Sequence, residues 1–555
     1  MGMDHEYNLL EERWIKVRSN NETIEVSLKD ALLHAHEYQD LAGELPTQDA
    51  AVLRLLLAVL FTVFSRFTAE GEAEALENDE NEDAINRWID LWNMKQFPSR
   101  PIEQYLDEWK HRFWLFDEKY PFWQVPEAAR AKQYKSFKLS GDMLESENKA
   151  RLFPVRYGIP KHELSYAEAA RWLLYLNAWD DTALKKTRGI TASASVGWLG
   201  RLGYIAAIGA NLFETLMLNL TFLKDGDQSW DYDDCIPAWE LDMPRTAELS
   251  EIPAPEHPAA LLTLQSRRIL LAREHDKVIG YHLLSGDYFS AENAFTEQYT
   301  LWKSFQQKGT GVLLYSPKLH DPQKQLWRDF SAIAEQSKQT RQPGVVRWIA
   351  QLKKNSDCDL CSNDVIRFKT AAICYDGSAS HTVQDSFSDS LSFHAELLTE
   401  VGKTWRDCIE EEISKIEETA SLIGYLSDSL CKASGMSTEG KGADTLRDKA
   451  DHSRAQFYAR VDLPFRVWLE SLKPEMDTEE PRTGWQQQAR RIAIELGKEM
   501  VFSADPAAFV GRSLTEKRKN NKGKNVDMDI YYSSPEAYNR FQRRLNKIYS
   551  IKKEV

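Results

Sequence analysis

The C-terminal part of the chain contains four long stretches in which apolar residues recur every three or four positions. They are residues 395–434, 444–472, 484–504 and 535–550, with Gly, Pro and polar residues between them. Because an α-helix turns once every 3.6 residues, this spacing places the apolar side chains of each stretch on one face. Consecutive helices of this kind bury their apolar faces by packing against each other, so the pattern predicts an antiparallel four-helix bundle.

The longer N-terminal part mixes strand and helix patterns. Thr23–Leu28 alternates apolar and polar residues like a strand, while Arg267–Arg273 and Val278–Leu284 have the composition of a hairpin. Val52–Phe64 is apolar almost all round, which is typical of a helix buried on every side, and Thr47 is its expected N-cap. This part of the chain is therefore expected to be mixed α/β.

The two patterns together predict an α+β chain. A large mixed α/β N-terminal domain is expected over residues 1–394, followed by the C-terminal four-helix bundle over residues 395–555. Residues 127–150 are polar without a clear period and are expected to form a long loop. The Lys-, Gly- and Asn-rich residues 517–525 are expected to form a mobile loop.

The charge of the chain limits what it can bind. It carries 70 Lys and Arg against 85 Asp and Glu, a net charge of −15, which argues against a simple histone-like nucleic-acid binder. Residues 511–555, however, carry twelve Lys and Arg against five acids. An acidic body with basic segments fits a protein that touches a polyanion at chosen places, and it equally fits an acidic enzyme with a basic tail.

The sequence has no feature typical of a secreted or membrane protein. Its first residues lack a cationic region followed by an apolar one. The longest uninterrupted apolar run near the start, Leu55–Phe61, is far shorter than the roughly 20 residues of a bilayer span. Six cysteines in 555 residues are too few for a disulfide scaffold, so we expect a cytoplasmic protein without membrane association.

A search for catalytic motifs finds no convincing active site. The chain has no GxSxG elbow, no GxxxxGK[ST] phosphate loop, no GxGxxG after a strand and no HExxH pair. Asp385 and Asp389 could share a helix face, but solvated acids are the commoner case. The absence of such motifs favours a binding protein over an enzyme, and we expect no cofactor.

One pair of cysteines leaves an alternative open. Cys358-x-x-Cys361 could bind zinc only with Cys374 and His381, at irregular spacing, so ordinary reduced cysteines are favoured and no metal is expected. The alternative is a metal-dependent hydrolase or nuclease built on these four residues.

Three segments have the composition of polyanion contacts, because they combine cations with small residues whose backbone can approach a phosphate closely. They are Lys185–Gly189 followed by Ile190–Ser195, the group of Lys303, Lys308 and Lys318 around Gly309 and Gly311, and residues 517–524. Each could also be an ordinary solvated loop.

Several stretches of the sequence, taken in order, resemble one family. They are YNLL (7–10) with WIKV (14–17), RFWLFDEKYPFWQV (112–125), AEAARWLLYLNAWDDT (167–182), GWLGRLGYIAAIGANLFETLMLNL (197–220), WRDF (327–330) and DSFSDSLSF (385–393). Together they resemble the CasA family, the large subunits of the type I-E CRISPR surveillance complex, Cascade. The resemblance spans essentially the whole chain.

The resemblance implies a non-catalytic role in antiviral defence. In that family, pairing with the guide RNA reads most of the target, while this subunit reads a short flanking duplex motif (the PAM). It also helps to separate the strands for R-loop formation and recruits the Cas helicase–nuclease. The implied partners are the backbone and small Cascade subunits, CRISPR RNA, target double-stranded DNA and the helicase–nuclease. A purely protein-binding helical adaptor is the other alternative.

The resemblance also implies roles for individual residues. Phe153, in Arg151-Leu152-Phe153-Pro154, matches the phenylalanine that meets the 5′ end of the guide. Ser380 and His381 lie where the family has its strand-separating wedge. This chain lacks the family's glutamine there, and Gln384 is offset from that position.

Recognition of the flanking DNA is implied for two further segments. A loop in which most of the family's glycines are replaced would approach the motif, and a lysine finger would enter the minor groove. The implied residues are Gly189, Thr191, Ala192 and Ser193 in the loop, and Lys303 or Lys308 in the finger. The hydrogen-bonding pattern of the minor groove is degenerate, so such a reader is expected to tolerate variation in the motif.

Overall fold

The computed structural model divides the chain into two compact units, Met1–Leu391 and Ser392–Val555. The division falls inside a strand that ends at His394, the last residue of the predicted N-terminal domain. The structure describes residues 5–78, 81–139, 156–181, 196–242, 251–335, 340–354, 364–375, 383–437, 439–519 and 525–549, and the single residues 152, 154 and 360.

The first unit combines many short strands with helices of very different lengths. Its strands are β1 Glu6–Asn8, β2 Ile15–Ser19, β3 Glu22–Val26, β4 Asp40–Leu41, β5 Trp114–Phe116, β6 Gln133–Lys135, β7 Ile205–Ile208, β8 Leu223–Lys224, β9 Gln228–Ser229, β10 Arg267–Glu274, β11 Lys277–Ser285, β12 Trp302–Gln306, β13 Leu313–Pro317, β14 Val365–Tyr375 and β15 Val383–His394. Its helices are α1 Leu28–Leu33, α2 Pro46–Phe64, α3 Asn81–Asn93, α4 Ser99–Trp109, α5 Ser136–Leu139, α6 Ile159–His162, α7 Tyr166–Trp179, α8 Leu212–Asn219, α9 Pro258–Leu262, α10 Phe330–Ala334 and α11 Gly344–Lys354.

The strands of the first unit form small sheets rather than one large one. Three sheets have three strands, in the orders β3-β2-β4, β10-β11-β6 and β15-β14-β7, and the other strands pair in twos. The predicted hairpin is confirmed as β10 and β11, which pair antiparallel and gain β6 as a third strand.

Helix α2 forms the centre of the first unit. Seventeen of its residues are buried, and it packs against α7 and α9. In the described part of the chain it is the one helix long and apolar enough to cross a membrane, but 94% of its apolar window is buried inside the protein. The predicted N-cap was wrong: Leu45 occupies the cap position, because Pro46 begins the helix and fixes its first turn.

The second unit contains the predicted helices, and the predicted α+β class is confirmed. The four predicted helices are α12 Lys403–Ala433, α13 Lys441–Ser471, α14 Glu479–Phe502 and α16 Ser534–Ile548, and the short helix α15 Pro506–Val510 is an addition. Helix α12 contacts α13, α14 and α16, so four long helices share one core. A hairpin of β16 Arg512–Lys519 and β17 Asn525–Tyr532 is inserted before α16.

Residues 127–150 were expected to form a long loop, and this expectation was wrong for residues 127–139. They contain a 3₁₀ turn ending at Arg130, then β6 and α5, because β6 pairs with the distant strand β11. The expected mobile loop 517–525 has its two ends in the paired strands β16 and β17, while residues 520–524 lie outside the described residues, so the loop stays a prediction. Asp385 and Asp389, for which a shared helix face was considered, lie on strand β15.

His257 caps the short helix α9 from a fully buried position. Its Nδ1 accepts a hydrogen bond from the Ala259 amide at 3.0 Å, and its ring is fully buried near Phe61 and Trp230. Burial lowers the pKa of His257 to about 3, so the native imidazole is neutral.

We expect His257 to destabilise the protein as the pH falls below about 6.5. The unfolded imidazole takes up a proton there and the native one does not, so the free energy of unfolding decreases as the pH falls. Between pH 6.5 and 4.5 this amounts to about 2.5 kcal/mol. Urea unfolding of the wild type and of His257→Asn at both pH values checks it. Equal losses in the two proteins would contradict the assignment.

Candidate nucleic-acid interface

The clearest exposed feature of the first unit is an antiparallel ribbon, residues 302–317, formed by β12, β13 and the turn between them. The paired residues run from Trp302 opposite Pro317 to Gln306 opposite Leu313, and Gln307 N–H continues the ladder to Val312 O at 2.9 Å. The turn contains Gly309 and Gly311 with φ of +92° and +68°. This region of backbone space favours glycine, so the two glycines allow the tight tip.

The two faces of the ribbon have different surroundings. Directly opposed residues of an antiparallel pair share a face. The inner face carries Trp302 and Tyr315, whose ring centroids lie 5.3 and 5.9 Å from that of Phe295. The other face, called the outward face, carries the exposed side chains of Lys303 and Phe305 and the half-buried Leu314.

The ribbon is an acid-free cationic element in an acidic chain. Residues 302–317 contain Lys303 and Lys308 and no Asp or Glu, although the whole chain has a net charge of −15. Both lysines are exposed, and neither has a carboxylate within ion-pair distance among the described residues. Lysines in this state are free to contact phosphates or a groove.

Lys318, the third lysine of the predicted group, has a different role. Its Nζ donates to Asp329 Oδ1 at 2.8 Å, and Lys324 binds the same carboxylate. Burial would raise the pKa of Asp329, but the bonds from the two lysines hold it below its usual value. Lys318 therefore anchors the end of the ribbon and is not available to a ligand.

The base of the ribbon is tied to the sheet β15-β14-β7 through one backbone carbonyl. Tyr204 O, just before β7, accepts from the Thr370 hydroxyl of β14 at 2.6 Å and from His320 Nε2 at 2.9 Å. Burial lowers the pKa of His320, so the ring acts as a neutral donor. The bonds between Leu301 and Gly203 and between Lys318 and Leu301 close the same junction.

Two predicted site segments lie outside the described residues, but the structure gives the positions of their ends. The ends of segment 182–195 are held together: Gly197 N–H donates to Asp180 O at 2.9 Å, and Asp180 is paired with Arg267 at 2.5 Å. A Cβ at residue 197 would lie only 2.4 Å from Ala178 O, so this close approach of the backbone requires glycine at that position. Segment 376–382 connects β14 and β15, which are neighbours in one sheet.

The ends of these two segments are in direct contact. The hydroxyl of Tyr375, the last residue of β14, donates to Trp179 O at 2.7 Å, next to Asp180. The same hydroxyl occupies the space where Gly200 would carry a Cβ. The structure therefore gathers the anchor points of the ribbon, of segment 182–195 and of segment 376–382 around β7 and β14.

Most of the individual residues predicted for the site lie outside the described residues. They are Gly189, Thr191, Ala192, Ser193, Ser380, His381 and Phe153. Near Phe153, Leu152 is 86% exposed and Tyr157 is 81% exposed, so the described residues around it leave apolar surface open to solvent. Gln384 lies at the beginning of β15 and is exposed.

The metal alternative rests mainly on residues that the structure does not describe. Cys358, Cys361 and His381 fall in that class, and Cys374 is a half-buried cysteine on β14 whose pKa is raised by burial. Within the described ranges, no three His, Cys, Asp or Glu residues lie close enough together to hold a metal.

The first unit also has a cavity of about 510 Å³, whose walls include the aromatic residues Tyr120, Trp123 and Trp239. The Arg112 guanidinium lies 4.3 Å from the centre of the Tyr120 ring, and burial lowers its pKa. Asp287, also on the wall, is paired with Arg268 at 2.7 Å. The Asp287 carboxylate is thus engaged in a structural ion pair.

The comparison with known proteins identifies the family of this fold. Residues 8–496 match the family model of CRISPR-associated protein Cse1. The chain belongs to the Cse1 family. The resemblance to CasA seen in the sequence is thereby confirmed, since a curated relative from Thermus thermophilus carries both names, CasA/Cse1. That relative is 30% identical over 341 residues, which are 60% of this chain and 61% of the relative.

Solved structures of Cse1 proteins share the fold over almost the whole length. Cse1 from Thermobifida fusca superimposes with a TM-score of 0.79 at 26% identity, covering 98% of both chains. Cse1 from Acidimicrobium ferrooxidans gives 0.76 at 23% identity, covering 98% of this chain and 99% of that one. A chain of a CRISPR RNA-guided surveillance complex has the same fold at 16% identity, with a TM-score of 0.66 and coverage of 97% and 99%.

The ribbon itself was missed in the sequence of this Cse1-family chain. Lys303 and Lys308 were found as a loose group, but Phe305 and the strands that carry these residues were not. The signal was weak: Trp302 to Gln306 does not alternate in polarity, and only Gly309 and Gly311, followed by the apolar Val312 to Leu314, indicated a turn leading into a strand.

Proposed function

We propose that this chain is the non-catalytic large subunit of a type I-E CRISPR RNA-guided DNA surveillance complex. In this role it recognises the flanking duplex motif, assists strand separation and R-loop formation, and recruits the Cas helicase–nuclease. Its partners are the backbone and small Cascade subunits, CRISPR RNA and target double-stranded DNA in the cytoplasm. No bond is made or broken by the chain itself.

The observation that carries this proposal is the exposed, acid-free ribbon with Lys303 and Lys308 in a Cse1-family chain. A two-stranded ribbon is narrow enough to enter a groove of duplex DNA, and strands read grooves in several DNA-binding proteins. The lysines supply the positive charge that the phosphate backbone requires, while base pairing with a guide supplies the sequence specificity.

The proposal also gives the neighbouring segments a role. Gly189, Thr191, Ala192 and Ser193 would approach the flanking motif through their backbone, and Ser380 and His381 would act as the wedge where the two strands part. The contact between Tyr375 and Trp179 supports this arrangement, because it brings the ends of both segments together. Phe153 would meet the 5′ end of the guide, and the helical second unit would offer surface for protein partners.

The test compares guide-loaded assemblies with and without this chain on targets whose flanking sequence is randomised. We expect the complete assembly to enrich a small set of flanking base pairs and the assembly lacking the chain to enrich none. Equal discrimination by the two assemblies would refute the proposal. If the chain were a helical adaptor without DNA contact, adding it would restore recruitment of the nuclease. The complete assembly would then show no more flanking preference than the assembly lacking the chain.

A further inference from the structure

The outward face of the 302–317 ribbon combines cationic and apolar side chains. The cross-strand pairs Lys303–Ser316 and Phe305–Leu314 lie on this face, and the ladder bond from Gln307 to Val312 adds Val312 to it. Phe305 is 36% exposed and Val312 is 52% exposed. The apolar residues therefore lie between the lysine at the base of the ribbon and Lys308 at its tip.

The exposed apolar residues are not needed to hold the ribbon in place. The opposite face does that, since Trp302 and Tyr315 contact Phe295 and the Arg341 guanidinium lies 3.6 Å from the centre of the Phe295 ring. A phenylalanine and a valine that remain exposed on an anchored element cost hydration free energy, which a partner can recover by covering them.

The surroundings of Phe305 and Val312 identify the kind of partner. An apolar protein surface would not require two unpaired lysines on an element without a single acid. The wall of the minor groove in DNA satisfies both features, because deoxyribose presents C–H groups and the adjacent phosphates present negative charge. RNA differs at this wall, since its minor groove displays 2′-hydroxyls.

We propose that Phe305 and Val312 pack against the deoxyribose wall of the flanking duplex and thereby select DNA over RNA at this position. The inference rests on the proposed function, because it requires the ribbon to lie in the minor groove. A 2′-hydroxyl pressed against the phenylalanine ring would lose its hydrogen bonds to water without gaining a protein partner. The ribbon would then discriminate the sugar while remaining tolerant of the base sequence.

The experiment measures binding of the guide-loaded assembly to targets that differ only in the sugars of the flanking duplex. Three consecutive flanking deoxyribonucleotides on one strand are replaced by ribonucleotides. We expect the wild type to bind the substituted target about tenfold more weakly. For the variant Phe305→Ala with Val312→Ala we expect about fivefold weaker binding to the all-DNA target, and a ribose penalty reduced to about twofold.

Leu313→Ala is the matched control, because Leu313 lies at the same height on the opposite face and is 40% exposed. We expect it to leave both the affinity and the ribose penalty unchanged. Equal ribose penalties in the wild type and the double variant would overturn the inference, and so would a wild type that ignores the substitution. The second of these results needs no substitution in the protein, so the inference can be refuted even where a variant assembles poorly.

The same data separate this inference from the proposed function. If the flanking preference is lost with the chain but the sugar has no effect, the function stands and the role of Phe305 and Val312 is wrong. If the chain contributes no flanking preference, both are wrong.

Discussion

Alanine at both Lys303 and Lys308 is expected to weaken target binding by the guide-loaded assembly about one hundredfold. A hydrogen bond to a charged group contributes about 1.5 kcal/mol or more, which corresponds to roughly tenfold in affinity for each lysine. Loading of the guide should not change, because neither lysine has a partner among the described residues of its own chain. The measurement is a titration of target duplex, with guide occupancy determined separately.

The salt dependence of binding gives a second, independent readout of the same variants. Each lysine that neutralises a phosphate releases about one counterion, so the double variant should reduce the slope of log affinity against log salt concentration by about two. A variant that weakens binding through misfolding would lower the affinity at all salt concentrations without this change in slope. Lowering the salt concentration should therefore increase the affinity of the wild type far more than that of the double variant.

Lys277→Ala is the matched control for charge. Lys277 is also a surface lysine at the end of a hairpin of the first unit, where it faces Asp276 at 3.3 Å. The Lys277→Ala variant removes a positive charge from a different place on the surface, so we expect no change in the affinity for target duplex or in its salt dependence. The two single variants then show which lysine reaches the groove. Wild-type binding by Lys303→Ala, Lys308→Ala and the double variant alike would remove both residues from the interface.

The parts of the fold that the sequence predicted are those governed by local periodicity. The bundle helices have an unbroken spacing of apolar residues, as in Ile409, Ile413 and Ile416 on α12, all of which are buried. The predicted hairpin strands Arg267–Arg273 and Val278–Leu284 lie within one residue of the observed bounds of β10 and β11, because both stretches are rich in β-formers. Such patterns depend on a few neighbouring residues, so they can be recognised without knowledge of the tertiary structure.

The arrangement of the candidate site depends on contacts that no local pattern encodes. Tyr204 O joins the ribbon to β14 through His320 and Thr370, residues more than one hundred positions away. The bond from Tyr375 to Trp179 spans 196 positions. The sequence could therefore suggest candidate residues, partly by resemblance to a family, but it could not show that their segments share one corner of the unit.

The anchor of that corner is a buried ion pair, and breaking it is expected to be the most destabilising single change. Arg54 in helix α2 binds Glu297 through two hydrogen bonds of 2.9 and 3.0 Å, and both side chains are buried. Glu297 also accepts from Trp198 Nε1 at 2.7 Å, so it fixes the residue that follows Gly197. Arg54→Met would leave an uncompensated carboxylate in the core, at a cost of about 3–5 kcal/mol in the free energy of unfolding.

Urea unfolding of the isolated chain tests this expectation, with two comparisons that isolate the cause. Adding Glu297→Gln to Arg54→Met removes the stranded charge but keeps an acceptor for Trp198, so most of the lost stability should return. Arg460 and Glu499 form a similar two-bond pair on the surface of the second unit, and Arg460→Met should have a much smaller effect because water replaces the lost partner. If the double variant is no more stable than Arg54→Met, the loss comes from packing around α2 rather than from the buried charge.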